Sequence, residues 1–378
     1  MNFKLSDEEK LIRDTTAQFV RREMLTRERD YLRQEELFLA PGDPPRRELD
    51  SEVYDSLRTI ARRIGVWALE FPSSSDGDSM SAVARVLVHR EFGRSILPFE
   101  PASIPALMAG MPYGRELGDG TLSLSLAFGQ VHGTGTLEGV TTHYRPVADG
   151  LSLSDSRVDI LDEPEADLFL LPARREASDQ AGLFLIASDA PGIRIEARAD
   201  LTTDAVAAVL SLNQCTVGKD QLLGGKAEIE AIVAWQQLRI AARCLGMAMR
   251  CLADTVEHAR NRVTFDRPLA QRQAVQWMLA DLSTDISTST WLTLETAWRA
   301  DNNMRYFQEA ALAKKRAAKT AFQAADTAIQ IHGGYGVCKE FPFEGFYREA
   351  RLMRLIYGRE AELDRAMGEK FIEEGNRH

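Results

Sequence analysis

Residues Ala328–Arg365 read A-I-Q-I-H-G-G-Y-G-V-C-K-E-F-P-F-E-G-F-Y-R-E-A-R-L-M-R-L-I-Y-G-R-E-A-E-L-D-R. Gln330 ends an apolar helical run, Gly333-Gly334 breaks it, and a basic and aromatic helix follows from Phe343. Paired glycines let backbone N–H groups approach phosphate or ribitol oxygens with no side chain in the way. The segment closes on Leu355-Ile356-Tyr357-Gly358-Arg359, with Glu360 and Glu362 beyond.

About sixty residues upstream lies Arg262-Val263-Thr264-Phe265-Asp266-Arg267-Pro268-Leu269-Ala270-Gln271-Arg272-Gln273. A guanidinium such as that of Arg262 binds a diphosphate bidentately and stays charged at any physiological pH. Phe265 offers an apolar ring face to a planar base. Gln273 and Gln330 each carry a donor and an acceptor.

In this order, Arg262-x-x-Phe265, Gln273, Gln330 and Gly333-Gly334 closely resemble the C-terminal signature of the acyl-CoA dehydrogenase family. Its members are FAD enzymes that desaturate acyl-CoA thioesters. The resemblance implies that Arg262, Phe265, Gln273, Gln330, Gly333 and Gly334 contact FAD. Asp266 stands where the motif usually has glycine. Many members continue I-Y-E-G-T, and that glutamate removes the substrate α-proton. Here the position holds Tyr357 or Gly358, depending on which residue anchors the alignment, and neither is a carboxylate. A phenol titrates near pH 10, so Tyr357 is a poor base at neutrality. Glu360 is the nearest alternative, three residues on from Tyr357 and on the same face if the helix continues. Some relatives carry the base immediately before an arginine on the first helix of the C-terminal bundle. Here that pair is Leu238-Arg239, again without a carboxylate, and Arg239 is a candidate contact to CoA.

The family's flavin-ring motifs are also missing. Leu122–Gln130 replaces T-E-P-x-x-G-S-D, and Ser156–Asp162 replaces the W-I-T-N strand. Ser123 and Ser125 remain as hydroxyls, which a solvated strand face also explains.

The rest of the chain bounds the reading. Its 378 residues suffice for two or three domains, and the net charge of −10 argues against nucleic acid or an anionic membrane as the main partner. Cys215, Cys244, Cys251 and Cys338 form no C-x-x-C pair, and the six histidines form no metal-binding spacing. The acidic start M-N-F-K-L-S-D-E-E-K is not a signal peptide, and no run is apolar enough to span a membrane, so a cytoplasmic location is expected.

The expected fold class is α+β, in three parts. Helical patterning over 1–117 includes a capped start at Ser6, a Pro/Gly-rich loop at Ala40–Arg46, and helices near 51–64 and 80–92. Short β-rich runs over 118–225 suggest a small barrel or sandwich. Helical periodicity returns over 226–378, as a C-terminal four-helix bundle with long helices near 227–262, 270–300, 306–332, 343–357 and 360–374. Trp277, Leu279 and Leu282 are expected on one buried stripe. Ile64–Pro72 and Asp189–Ile193 resemble two of the family's turns, although Ser73–Gly77 replaces its E-x-x-G-G loop.

The resemblance implies a division of labour between two subunits around one FAD. One subunit brings the β domain and the base. Its neighbour brings R-x-x-F and Q-x-x-G-G to the adenosine and diphosphate. This chain keeps the second set and lacks the first. The leading expectation is therefore one half of a mixed α2β2 assembly with a related chain, as in family members acting on steroid-derived acyl-CoAs. Electrons would pass to an electron-transfer flavoprotein. The alternatives are a homo-oligomeric enzyme with a non-standard base or chemistry, and a non-catalytic scaffold subunit without flavin.

Overall fold

The computed structural model describes residues 4–34, 49–67, 80–101, 113–119, 121–128, 140–160, 166–178, 180–198 and 207–374. The expected loops at Ala40–Arg46 and Ser73–Gly77, and the replacements at 129–130 and 161–162, lie outside them.

Helix α1 (Asp7–Phe19) starts at a reciprocal capping box. The Ser6 hydroxyl accepts from the Glu9 amide at 3.1 Å, and the Glu9 carboxylate accepts from the Ser6 amide at 2.7 Å. A π-helical turn at Val20–Met24 leads to α2 (Glu28–Arg33). Helices α3 (Ser51–Arg63), α4 (Ala82–Phe92) and α5 (Gly114–Asp119) follow. Asp50 and Ser81 cap α3 and α4 with their side chains. Between these helices, Phe19, Phe92, Phe99, Trp67 and Tyr54 stack in one cluster, with neighbouring ring centroids 5.3–6.4 Å apart.

The strands are β1 (Leu124–Leu126), β2 (His143–Val147), β3 (Gly150–Ile160), β4 (Leu168–Arg175), β5 (Ala181–Ala187), β6 (Ile193–Arg198), β7 (Ala207–Val217) and β8 (Leu222–Gly224). They pair in the order β6-β7-β3-β2-β4-β5-β8, with β1 parallel to β4. Side-chain alternation divides the burial. Leu168, Leu170, Leu183 and Leu185 face the start of the bundle, against Ile229, Ile232 and Val233. Phe169, Leu171, Phe184 and Ile186 face the other way and share a core with β3 and β7. The sequence pattern missed β2, which contains Pro146. That proline is tolerated because β2 pairs with β4 only through His143 and Tyr144.

The bundle consists of α6 (Lys226–Asn261), α7 (Gln273–Asp301), α8 (Phe307–His332), α9 (Phe343–Met353) and α10 (Glu360–Glu374). Between α6 and α7 runs a short hairpin, β9 (Val263–Thr264) with β10 (Arg267–Pro268). Alanines 313, 317, 321, 324, 325 and 328 bury one face of α8, where small side chains let helices approach closely. The stripe expected on α7 is corrected. Leu282 is buried, Leu279 is half-buried, and Trp277 is 62% exposed. Five positions at about 100° each place Trp277 roughly 140° around the helix from Leu282. The buried row runs instead through Leu282, Ile286, Ser289, Thr293, Thr296 and Ala297.

Charges buried on α6 are paired across layers. Glu100, just beyond α4, accepts from Arg239 at 2.6 Å and also binds Arg243. Arg243 binds Glu349 of α9 at 2.6 Å. Arg250 binds Glu28 of α2 at 3.1 Å and Asp254 at 2.6 Å. Burial alone would raise the Glu100 carboxyl, but the Arg243 and Arg239 guanidiniums outweigh burial and hold it down at about 2.

Glu100→Gln is expected to cost about 3–5 kcal/mol of stability, because two buried guanidiniums lose their shared carboxylate. Glu100 titrates lower when folded than its ordinary 4.5. Its contribution is therefore complete above that value and disappears as pH falls toward about 2. Urea unfolding of the two proteins should give a gap that narrows over this acidic window. A gap independent of pH would contradict the assignment.

Candidate functional site

Helix α6 ends where Arg262 turns to extended backbone, at φ −80° and ψ 114°. The hairpin that follows reverses at Phe265 and Asp266, which both have positive φ, 48° and 62°. Two successive positive φ values are those of a type I′ hairpin turn, which asparagine, aspartate and glycine tolerate best. Asp266 can therefore replace the glycine the motif usually has, and bulky Phe265 bears the greater strain. The Phe265 ring projects from the turn, 92% exposed, with the Arg272 guanidinium 5.7 Å from its centroid.

Opposite this hairpin, α8 stops at Gly333, where φ is +61°. A Cβ placed at Gly333 or Gly334 would meet nothing within 4 Å, so the backbone there faces open space. A cavity of about 460 Å³ lies between, lined by Arg262, Gly333 and Gly334 together with His258, Thr264, Leu269, Ile331, His332, Tyr335 and Cys338. Three of the six expected cofactor residues thus share one cavity. Phe265, Gln273 and Gln330 are exposed but do not line it. Gln273 opens α7, and Gln330 sits in the last turn of α8.

The position expected to hold a base is a fixed backbone turn. Tyr357 has φ 49° and Gly358 φ 114°. The Tyr357 carbonyl accepts from Gln237 Nε2 at 2.8 Å. The Gly358 carbonyl accepts from Lys314 Nζ at 2.5 Å. The Tyr357 side chain is half-buried and packs both on the helical core and on the core between the sheet and α6. Lys314 is only 1% exposed, and burial lowers its ammonium to about 8.

The two remaining candidates are engaged elsewhere. Arg239 donates to Gln236 at 2.8 Å and to Glu100, which places it in the buried ion network. Glu360 begins α10 and accepts from Arg354 at 2.6 Å. That hydrogen bond, against some opposing burial, lowers its pKa and weakens it as a base. In the sheet, Ser123 bonds Asp167 at 2.8 Å, and Ser125 is fully buried. Among the described residues no group of three metal-binding side chains forms, and no helix is long and apolar enough to cross a membrane. All four cysteines are free, with only Cys338 exposed.

Sequence reasoning overlooked His258 and Lys314. His258 lies four residues before Arg262, one turn away on the same face, a spacing that could have signalled it. Lys314 stands in an alanine-rich buried stripe with Ala310, Ala313 and Ala317, where a lone lysine signals a buried partner.

Residues 224–370 match the family described as acyl-CoA dehydrogenase, C-terminal domain. The chain is 25% identical to (R)-benzylsuccinyl-CoA dehydrogenase of Thauera aromatica, over 95% of this chain and 94% of that protein. Its fold matches butyryl-CoA dehydrogenase from Megasphaera elsdenii with a TM-score of 0.81 at 20% identity, covering 98% of this chain and 100% of that one. A chain of the ChsE4-ChsE5 complex from Mycobacterium tuberculosis matches with a TM-score of 0.81 at 23% identity, over 99% of each. Residues 224–370 thus match the C-terminal domain of the acyl-CoA dehydrogenase family, and the three-part fold is that of its solved members.

Two outcomes follow from the fixed turn. Gly358→Glu should destabilise the chain by about 1–3 kcal/mol, because a side chain is strained at this positive φ. It should also leave the isolated chain without dehydrogenase activity; a gain of turnover with unchanged stability would contradict the geometry. Lys314 titrates lower folded than unfolded, so the folded state binds fewer protons between about 8 and 10.5. Stability should rise with pH across that window in the native chain and not in Lys314→Met, as read by parallel urea titrations.

Proposed function

We propose that this chain is the base-less subunit of a mixed acyl-CoA dehydrogenase and completes the FAD site of a related partner chain. The observation that carries this reading is a contrast between two positions. The cavity at Arg262 and Gly333-Gly334 is open, whereas the base position is a turn whose two carbonyls are already bonded to Gln237 and Lys314.

FAD is the cofactor of this family. The residues present fit its adenosine diphosphate portion. Arg262 supplies a permanent positive charge in the cavity wall, and Gly333 and Gly334 present bare backbone to the cavity. Phe265, projecting from the hairpin tip, is placed to cover a base once a second chain packs there. Gln273 and Gln330 would reach the same ligand from the rim. Bound FAD supplies the acceptor for the hydride that leaves the acyl Cβ. This chain's part is to bind and orient the anionic end and to help exclude water. The α-proton must go to a carboxylate of the partner, since neither Tyr357 nor Gly358 offers one and Glu360 is tied to Arg354.

The whole assembly would then be an α2β2 pair of mixed dimers that desaturates an acyl-CoA thioester and passes its electrons to an electron-transfer flavoprotein. A relative that acts on benzylsuccinyl-CoA favours a ring-bearing acyl group. Steroid-derived thioesters belong to that class. The homo-oligomeric reading would need Glu360 as base, and its ion pair argues against that.

The test is a visible spectrum with flavin-to-chain stoichiometry, for this chain alone and for this chain co-expressed with a related chain that carries the base. The expected result is no flavin alone and about one FAD per mixed pair. Arg262→Ala in the pair should weaken FAD retention about ten- to hundredfold, the worth of a charged hydrogen bond. A full flavin complement in the isolated chain would overturn the reading.

A further inference from the structure

His258 and His332 are stacked, with ring centroids 4.1 Å apart and planes inclined by 27°. Both line the cavity that holds Arg262 and the glycine pair. Both also line a second cavity of about 560 Å³ on the far side, next to α2, so the two imidazoles form a shared wall. His332 is held rigidly. Its Nδ1 lies 2.8 Å from the Ala328 carbonyl, and its ring packs at 4.5 Å on Phe343. Only an N–H can bond to a carbonyl, so Nδ1 carries the proton. In the neutral ring Nε2 is then a lone-pair acceptor, and on protonation it becomes a donor.

We propose that His258 and His332 are diphosphate-binding residues, and that an adenine-dinucleotide diphosphate enters this cavity together with a proton taken up by the pair. This rests on the cofactor half-site reading above. The electrostatic surroundings set the direction. On the cavity side Arg262 is the charged neighbour, with Tyr335 and Cys338 as the other titratable groups. On the opposite side Arg250, Asp254 and Glu257 of α6 face the pair, with Glu28, Arg29 and Arg33 of α2 and Glu340 before α9.

Burial, then its neighbour His332, then Arg262 push the His258 proton off. Burial does the same to His332, opposed by its Ala328 hydrogen bond and by Asp254. Without an anion the pair is therefore neutral at neutral pH. A diphosphate beside it reverses the balance, because two fixed negative charges favour the imidazolium. The proton count closes simply: up to one proton from solvent accompanies each ligand, and it returns to solvent on release. No bond to phosphorus forms or breaks.

The probe is ADP-ribose, whose doubly esterified diphosphate keeps its charge throughout the test range. Calorimetry on the full chain should show affinity several-fold weaker at pH 8 than at pH 6, because both free imidazoles titrate below their ordinary value and a rise of about one unit on binding is only partly expressed at pH 6. His258→Asn and His332→Asn should each flatten that dependence, with circular dichroism confirming the fold. NMR titration of the wild-type imidazoles gives a reading that needs no variant, since both pKa values should rise with saturating ADP-ribose. Binding that is equal at the two pH values, with unmoved imidazoles, would overturn the histidine assignment and leave the half-site reading intact. No binding at either pH, in a folded chain, would overturn the histidine assignment, while the half-site reading stands or falls separately on the flavin stoichiometry of the mixed pair.

Discussion

Burial of α6 along most of its length is the constraint on which the rest of the molecule depends. This helix of 36 residues is about 54 Å long. It meets the sheet at its first turns, α4 and the aromatic cluster at its middle, and α7, α8 and α9 along its flanks. A helix enclosed on so many sides must be apolar nearly all round, or must find a partner for every charge it carries. It does both. Ile232, Val233, Leu238, Cys244 and Met247 supply the apolar surface, and Arg239, Arg243 and Arg250 find carboxylates from three other elements.

The same helix sets the two ends of the functional argument. Near its start Gln237 holds the Tyr357 carbonyl, and at its end Arg262 and His258 form a wall of the open cavity. One rigid element thus links a closed position to an open one. The closed position is fixed by hydrogen bonds from buried side chains of two different helices, α6 and α8, so it is a built part of the core. The open position exposes a phenylalanine ring on a strained turn, beside an arginine and bare glycine backbone that line the cavity.

The relatives and fold neighbours that this chain resembles carry acyl-CoA dehydrogenase names, and they say less about the proposed division of labour. The proposed division rests on residues this chain has and lacks. A carboxylate is missing from the turn, and the nearest one, Glu360, is neutralised by Arg354. A lowered carboxyl pKa makes a weaker base, so proximity in sequence does not make Glu360 a substitute.

Much of this was legible in the chain itself. Helical and β-rich stretches, the Ser6 cap, and the Arg262 and Gly333-Gly334 motifs are local patterns, and local patterns survive in a linear sequence. The bundle helices fall close to their expected limits because periodicity over twenty or more residues averages out single exceptions. Where the reading failed, neighbours distant in sequence decided. Trp277 is exposed because the packing of α7 on α8 and α4 selects a different face of the helix. Strand β2 survives its proline because only two residues of it pair with β4. Lys314 and Gln237 meet the Tyr357 turn across 44 and 120 residues, and Glu100 reaches Arg239 across 139. The sequence by itself determined most of the elements, the resemblance to the family, and the lack of a carboxylate at Tyr357-Gly358. Tertiary structure decided which charges cancel, which imidazoles share a wall and which backbone is left open, because burial and distance exist only once the chain is packed.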